Sequence, residues 1–395
     1  VLAFAAAQET LMLDRLNASE LIRSEILGRE QMRAFDVAWQ QLADNSIEDN
    51  VYYAPAYARA LLATVEAKTE VRFAAVWRGP QLIGLLPFVA SRLPSLIEPW
   101  AAWKSDYTYS CTPLLHRDWH LAAAEHLVAL VAAANPGEWI LPWMNVGKPA
   151  YRAIVAALDG ARRPWITSNL FTRAVLDTGP TFTEHMERYV SAKRRRDIGR
   201  NERRLQKLGS VSFESCANGA ELKSAVDAFL HIEARGWKGR RGTALQCDEA
   251  TRAFALKAFS APRSDNACRA DVLKVNGEPV AVGLTLISGR TGFTVKCAYD
   301  EGYATYSAGL LLEVAFLRSV LNEKWAGRID SGADGAHVID ELWPGRSEVG
   351  DLLFSAASSP GSGRFPAFIA GQKAKRATLE TAKAIVNRFR ARVTS

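Results

Sequence analysis

The chain has 395 residues, of which 48% are hydrophobic and 23% charged, and a formal net charge of +7. That length exceeds one ordinary hydrophobic core and points to two domains of roughly 150 to 200 residues each, while no apolar run is long enough to span a bilayer. Five cysteines (Cys111, Cys216, Cys247, Cys268, Cys297), odd in number and without a C-x-x-C, argue against a zinc site or a disulfide framework and favour a reducing cytoplasm.

In chain order, VLAFAAAQETL starts at Val1 and lacks the basic start and apolar length of a signal peptide. Residues 31–65 are helix-forming. RFAAVWRGPQLIGLLPFVASR (72–92) reads as two strands around a tight turn at Gly79, followed by an extended segment, a helix-period run (LAAAEHLVALVAAA, 121–134) and a short strand (EWILPW, 138–143). The pattern then returns. Helix-forming 219–236 precedes the hairpin RADVLKVNGEPVAVGLTLISGR (269–290) with Gly277 in its turn, the strand GFTVKCAYD (292–300), the helix GLLLEVAFLRSVLNE (309–323) and the strand GRIDSG (327–332).

Gly79 and Gly277 align at a spacing of 198, so the order strand, strand, strand, helix, strand occurs twice and marks a domain duplication. Because hairpins dominate, the expected fold class is α/β of the α+β sandwich type: two tandem units, each a mixed, mostly antiparallel sheet flanked by helices. Between the units lie a strand and turn (167–182) and a basic helix (183–208). The expected boundaries are an N-terminal extension over 1–30, a first unit over 31–166, a second over 167–354, a Ser/Gly/Pro-rich linker over 355–366 and a basic C-terminal helix over 367–395.

Charge sits in patches. Segment 193–207 carries +6 and 364–392 carries +7, which leaves −6 on the rest of the chain. Such patches imply a local anionic partner or a solvated helix face. HRDWH (116–120) has two histidines at a metal-like spacing and no evident third ligand, and DSGADG (330–335) lacks the alternating acidic pattern of a calcium loop, so no metal site is expected.

Strand alternation in 292–300 places Phe293, Val295, Cys297 and Tyr299 on one face and Thr294, Lys296, Ala298 and Asp300 on the other. Lys296 thus leaves the apolar face at mid-strand, and Cys297 is expected in the core. The turn YATYSAG offers Tyr303, Tyr306 and Ser307, with Ser307 or Ala308 where a helix cap belongs and Gly309 in the first turn. Free N–H groups at a helix start attract anions, and glycine permits close approach of a phosphate. In RGWKGRRGTAL, Trp237 with Lys238, Arg240 and Arg241 offers an aromatic platform ringed by cations. The competing reading is a helix end packing its Trp on the core, with Gly239 as terminator.

SAKRRRDIGRNERRLQKLG (191–209), IEARGWKGRRGTAL (232–245), VNGEPVAVGLTL (275–286), KCAYDEGYATYSAGLLLE (296–313) and IDSGADGAHVIDELW (329–343) together resemble the GNAT acyltransferase superfamily. The duplication is similar to its Fem-like tandem branch, and the second half resembles the CelD-like acetyltransferases found with bacterial cellulose and exopolysaccharide genes. That group usually carries a Tyr-Lys pair before the final Trp, whereas Ile339 and Asp340 precede Trp343 here.

The resemblance implies acetyl-CoA as co-substrate, no metal, and coenzyme A phosphates at Ser307, Ala308, Gly309 and Leu310. It implies catalytic roles among Asp330, Lys296, Tyr299, Tyr303 and Tyr306: Asp330 to orient or deprotonate the amine, a tyrosine to protonate the thiolate, and Lys296 to hold an anionic group of the acceptor or the developing oxyanion. Substrate would meet Trp237, Lys238, Arg240, Arg241, Asp334, His337 and Trp343. The implied activity is N-acetylation of an amino sugar or sugar-linked amine, free or lipid-linked, in exopolysaccharide or envelope polysaccharide synthesis. The alternatives are Fem-like aminoacyl transfer from tRNA and a degenerate module sensing a nucleotide such as a cyclic dinucleotide at the basic tail 364–392. A cytoplasmic location, with peripheral contact at the inner face of the membrane and no duplex DNA partner, completes the expectation, as does a non-catalytic first unit: SCTPLLHRDWH (110–120) stands where a second Ser-x-Gly would be.

Overall fold

The computed structural model describes residues 22–91, 93, 98–260, 268–333, 338–357 and 363–393. Thirteen strands form one sheet: β1 (Ile22–Leu27), β2 (Val71–Arg78), β3 (Gln81–Val89), β4 (Trp100–Ala102), β5 (Leu114–Leu115), β6 (Glu138–Asn145), β7 (Trp165–Asp177), β8 (Val211–Cys216), β9 (Cys268–Val275), β10 (Glu278–Ser288), β11 (Thr291–Tyr299), β12 (Arg328–Asp330) and β13 (Gly345–Ser355). Their spatial order is β1-β2-β3-β4-β6-β13-β7-β12-β11-β10-β9-β8, with β5 on β3.

Both hairpins form where the turn chemistry demands. Asn276 and Gly277 both take positive φ (53° and 84°) between β9 and β10, the backbone of a two-residue turn whose twist matches the flanking strands. Gly79 (φ 57°) does the same service between β2 and β3. Antiparallel pairing prevails, and the parallel pairs are β4 with β6 and β11 with β12. Each parallel pair is bridged by one helix, His120–Ala134 in the first half and Ala308–Glu323 in the second, as a crossover requires. The duplicated, mixed and mostly antiparallel architecture is therefore present.

The halves are joined by an exchange of strands. β7 follows the first unit yet pairs with β12 of the second, and β13 follows the second yet pairs with β6 of the first. β7 and β13 lie against each other from Val175↔Gly345 to Trp165↔Phe354, so the sheet runs through the seam without a break. The sheet also begins earlier than the expected first unit, because β1 inside the 1–30 extension pairs along β2.

The expected basic helix 183–208 is two helices, Phe182–Tyr189 and Ala192–Gln206. Thr181 and Glu184 form a capping box at the first, and the Ser191 side chain accepts from Arg194 N at the second, so the break is written in two cap residues. In the second, Ile198, Asn201 and Leu205 recur on one face and are buried, while Arg196, Arg200, Arg203 and Arg204 are exposed. After β13 the chain enters the helix Arg364–Val393, anchored by the buried Phe368; of the tail cations, Lys383, Arg388, Arg390 and Arg392 have side chains outside the described set. Among the described residues no helix is long and apolar enough to cross a membrane.

Candidate active site

β11 and β12 pair in parallel for only three residues, ending at Phe293↔Asp330, and then part. On its other side β11 slips against β10: Lys296 faces Leu284 and Thr294 faces Thr285, which leaves Val295 as an extra residue. Such a bulge re-aims the side chains around it. The consequence is a cavity of about 430 Å³ between the parted strands and the helix Ala308–Glu323, lined by Thr294, Val295, Lys296 and Cys297 of β11, Leu312, Glu313 and Phe316 of the helix, Ser331–Ala333 beyond β12, Asp271 of β9, and Lys238. Tyr109, from the loop after β4 in the first unit, closes one wall.

Titratable groups converge here. Burial, with the Asp271 carboxylate adding repulsion, pushes the half-buried Glu313 carboxyl up to about 7. Burial and the neighbouring Lys238 charge bring Lys296 down to about 8. Asp271 is itself raised by burial, against the pull of Arg269; its Oδ1 accepts from Ser215 Oγ (2.5 Å) and Arg269 Nε (3.1 Å), and its Oδ2 has no partner among the described residues. Cys297 opens onto the cavity instead of the core, because the bulge breaks the alternation that the sequence suggests. Its thiol is pushed up to about 12, by desolvation first and Glu313 second, which favours the protonated form.

Lys296 and Lys238 both line this cavity. Glu313 and Asp271 are additions that the sequence reading missed: Glu313 reads as a solvated position in a helix, and only the packing turns it inward. Asp330 is placed differently from the expectation of a base. It is buried, lies 3.4 Å from Nη1 of the equally buried Arg173, and accepts Gly332 N–H at 2.8 Å, so its carboxylate holds the turn and an ion pair at the seam while its successors Ser331–Ala333 line the cavity.

The turn before the helix is the expected one, in a different backbone state. Ser307 is left-handed (φ 56°), its hydroxyl accepts from Asn201 Nδ2 (3.1 Å) rather than capping the helix, and the helix starts at Ala308. Leu310 is buried, and the Tyr299 ring lies over Gly309, where a Cβ would come within 3.2 Å of it. The first-turn N–H groups have no intrahelical acceptor, as at any helix start. Arg204 of the basic helix donates to Thr305 O (3.0 Å) and stands 5.3 Å from the Tyr306 ring centroid. Tyr303 packs with Tyr306 and the helix core, so neither reaches the cavity walls, whereas Tyr299 lines a small recess that shares Lys238 and Cys297 with it.

Trp237 is 47% exposed at that recess, with Arg241 4.9 Å from its ring centroid. Glu301 latches this segment from the opposite side, accepting from Trp237 N–H and Arg240 Nη2, each at 2.7 Å. The helix before it ends at Arg235 and Gly236, not at Gly239; Gly239 sits so close to the Ala234 carbonyl that any Cβ would collide with it. Trp343 is fully buried, stacked on Phe316 with centroids 6.2 Å apart, and is a core residue rather than a substrate contact. Asp334 and His337 lie outside the described residues.

The architecture has known counterparts. Residues 192–337 match the family model of the acetyltransferase (GNAT) domain. No curated protein matches the chain. Among solved structures, FemX is similar with a TM-score of 0.53 and 10% identity, covering 80% of this chain and 95% of that one. A conserved protein of unknown function from Bacteroides thetaiotaomicron has a TM-score of 0.53 and 11% identity, covering 84% and 99%. The C-terminal domain of a protein described as a lysylphosphatidylglycerol synthetase from Agrobacterium fabrum has a TM-score of 0.50 and 11% identity, covering 85% and 94%. At these identities the likeness is one of fold. Residues 192–337 therefore match a GNAT acyltransferase-type domain, and over the whole chain the likeness to these structures is a shared two-unit fold.

Proposed function

We propose that the second unit transfers an acyl group, acetyl in the simplest case, from an acyl-coenzyme A to the amine of an amino sugar or sugar-linked acceptor. The observation that carries this reading is the cavity at the parting of β11 and β12, where Glu313 presents a carboxyl near 7 beside the strand that would flank the thioester. A base is most effective when its pKa lies near the working pH. In this reading Glu313 takes the proton of the attacking amine, the C–N bond forms as the C–S bond breaks, and the departing sulfur takes a proton from Tyr299 or from water. Backbone N–H groups freed where β11 leaves β12 would stabilise the developing oxyanion. The N–H groups at Ala308, Gly309 and Leu310 would hold the coenzyme phosphates, with Ser307 shaping the turn.

A thiol-release assay with acetyl-CoA and longer acyl-CoAs across a panel of amino sugars tests the reading. Amine-dependent release, lost in Glu313→Gln, supports it; acetyl-CoA binding without release for any amine contradicts it. Aminoacyl transfer from tRNA is a second reading, favoured by the arginine-rich helix Ala192–Gln206 lying against the turn 301–307. Charged tRNA replacing acetyl-CoA as donor would select it.

A further inference from the structure

The two lysines of the cavity differ in one respect. Lys238 Nζ is paired with Glu233 Oε1 at 2.7 Å, and the other Glu233 oxygen accepts Leu245 N–H at 2.8 Å, so that carboxylate is committed. Lys296 has no hydrogen bond or ion pair among the described residues. Its ammonium rests 5.2 Å from the centroid of Tyr107, a first-unit ring, and still reaches the cavity. The charges facing it are Lys238, which repels it, and Glu233 and the exposed Asp106, which attract it from a distance. Glu313 and Asp271 line the same space, but each carboxyl is shifted toward its protonated form. A largely desolvated cation that has a ring beside it but no hydrogen-bonding or ionic partner is costly, and an anion brought by a ligand removes the cost.

We infer that the acceptor carries an acidic group, a phosphate or carboxylate, which Lys296 binds against the wall that Tyr107 and Tyr109 of the first unit supply. The inference rests on the acyl-transfer reading for the word acceptor, and on the cavity alone for the anion. It gives the first unit a part in the reaction: the loop after β4, which in the second unit corresponds to the turn leading into the helix, serves here as the recognition wall of the neighbouring site. Lys296 is then a specificity residue, and the cavity selects anionic amines over neutral ones.

The test uses the full chain and two matched probes, glucosamine and glucosamine 6-phosphate. In the first arm, an amine-reactive acetyl ester labels the protein and Lys296 is followed by peptide mass spectrometry. Glucosamine 6-phosphate should slow labelling of Lys296 about tenfold when saturating, and glucosamine at the same ionic strength should not. Equal labelling with both probes overturns the inference. In the second arm, the ratio of the two KM values is compared in the wild type, Lys296→Met and Lys296→Arg. The ratio should move about tenfold against the phosphorylated amine in Lys296→Met and recover in Lys296→Arg. A change in both KM values by the same factor overturns it. Protection of Lys296 without any thiol release leaves the anion site standing and removes the acyl-transfer reading, so the two failures are distinct.

Discussion

The two parallel strand pairs are the same device built twice, and they part into different interiors. In the first unit β4 leaves β6 after Trp100↔Trp139 and Ala101↔Ile140, and the space beyond is filled by rings. Trp103 is buried and stacks on Tyr53 at 6.4 Å, Tyr53 Oη donates to Trp103 O at 2.7 Å, and Trp139 meets Trp100 and Phe88, each at 5.4 Å. Phe354, contributed by the exchanged strand β13, stacks on Trp139 at 6.1 Å. In the second unit β11 leaves β12 with Thr294, Lys296 and Cys297, and about 430 Å³ remains open. Rings that fill a gap stabilise; polar groups around a gap cost stability and gain chemistry. The first copy packs this gap with rings, whereas the second leaves it open as the cavity on which the proposed function rests.

That contrast can be broken first where it is strongest. Trp103→Ala should cost about 3 to 5 kcal/mol in urea unfolding, because a packed aromatic side chain is replaced by a void; a loss under 1 kcal/mol would deny the first unit its scaffold role. Asp330→Asn should be the next most damaging, by about 3 kcal/mol, since it leaves the buried Arg173 cation without its carboxylate. The variant that still folds should keep the wild-type dependence of rate on pH, which a catalytic Asp330 would not allow.

Glu313→Gln should act in the opposite direction on stability. The folded carboxyl titrates at about 7 against an ordinary 4.5, so its contribution is fully present below about pH 4.5 and lost as pH rises through 7. The amide should therefore raise Tm at pH 8 and leave it unchanged near pH 4, as differential scanning calorimetry would show. The smallest effect is expected at Glu301→Ala. Its bonds to Trp237 and Arg240 are on the surface, so the unfolding midpoint should stay close to that of the wild type while the acceptor KM rises modestly as the Trp237 segment loosens.

The duplication, the hairpins and the helix after the turn at 303–307 were legible, the last two from local causes: Asn276 and Gly277 dictate their turn, and period 3.6 dictates the helix. The strand exchange at β7 and β13 was not, since pairing partners far apart in the chain leave no local mark. Nor was the bulge at Val295, which depends on how β10 and β11 register and which turned Cys297 from the core to the cavity. Lys296 and Lys238 could be named from their odd places in a strand and beside an aromatic residue. Glu313 could not, because in AGLLLEVAF it looks like any polar helix position until the parted strands open beneath it. Asp330 misled for the complementary reason: its place at a strand end suits a base, and only the tertiary fold supplies Arg173 as its partner.

The most direct measurement is the pH dependence of kcat/KM for amine-dependent thiol release from acetyl-CoA by the wild type and by Glu313→Gln. With Glu313 as the base, the wild-type rate should rise tenfold per pH unit below about pH 7 and level above it, while the variant should be slower by about a hundredfold or more and lack that rise. A variant that keeps both the rate and the limb near pH 7 would contradict the assignment of Glu313 as the base in the cavity of the second unit.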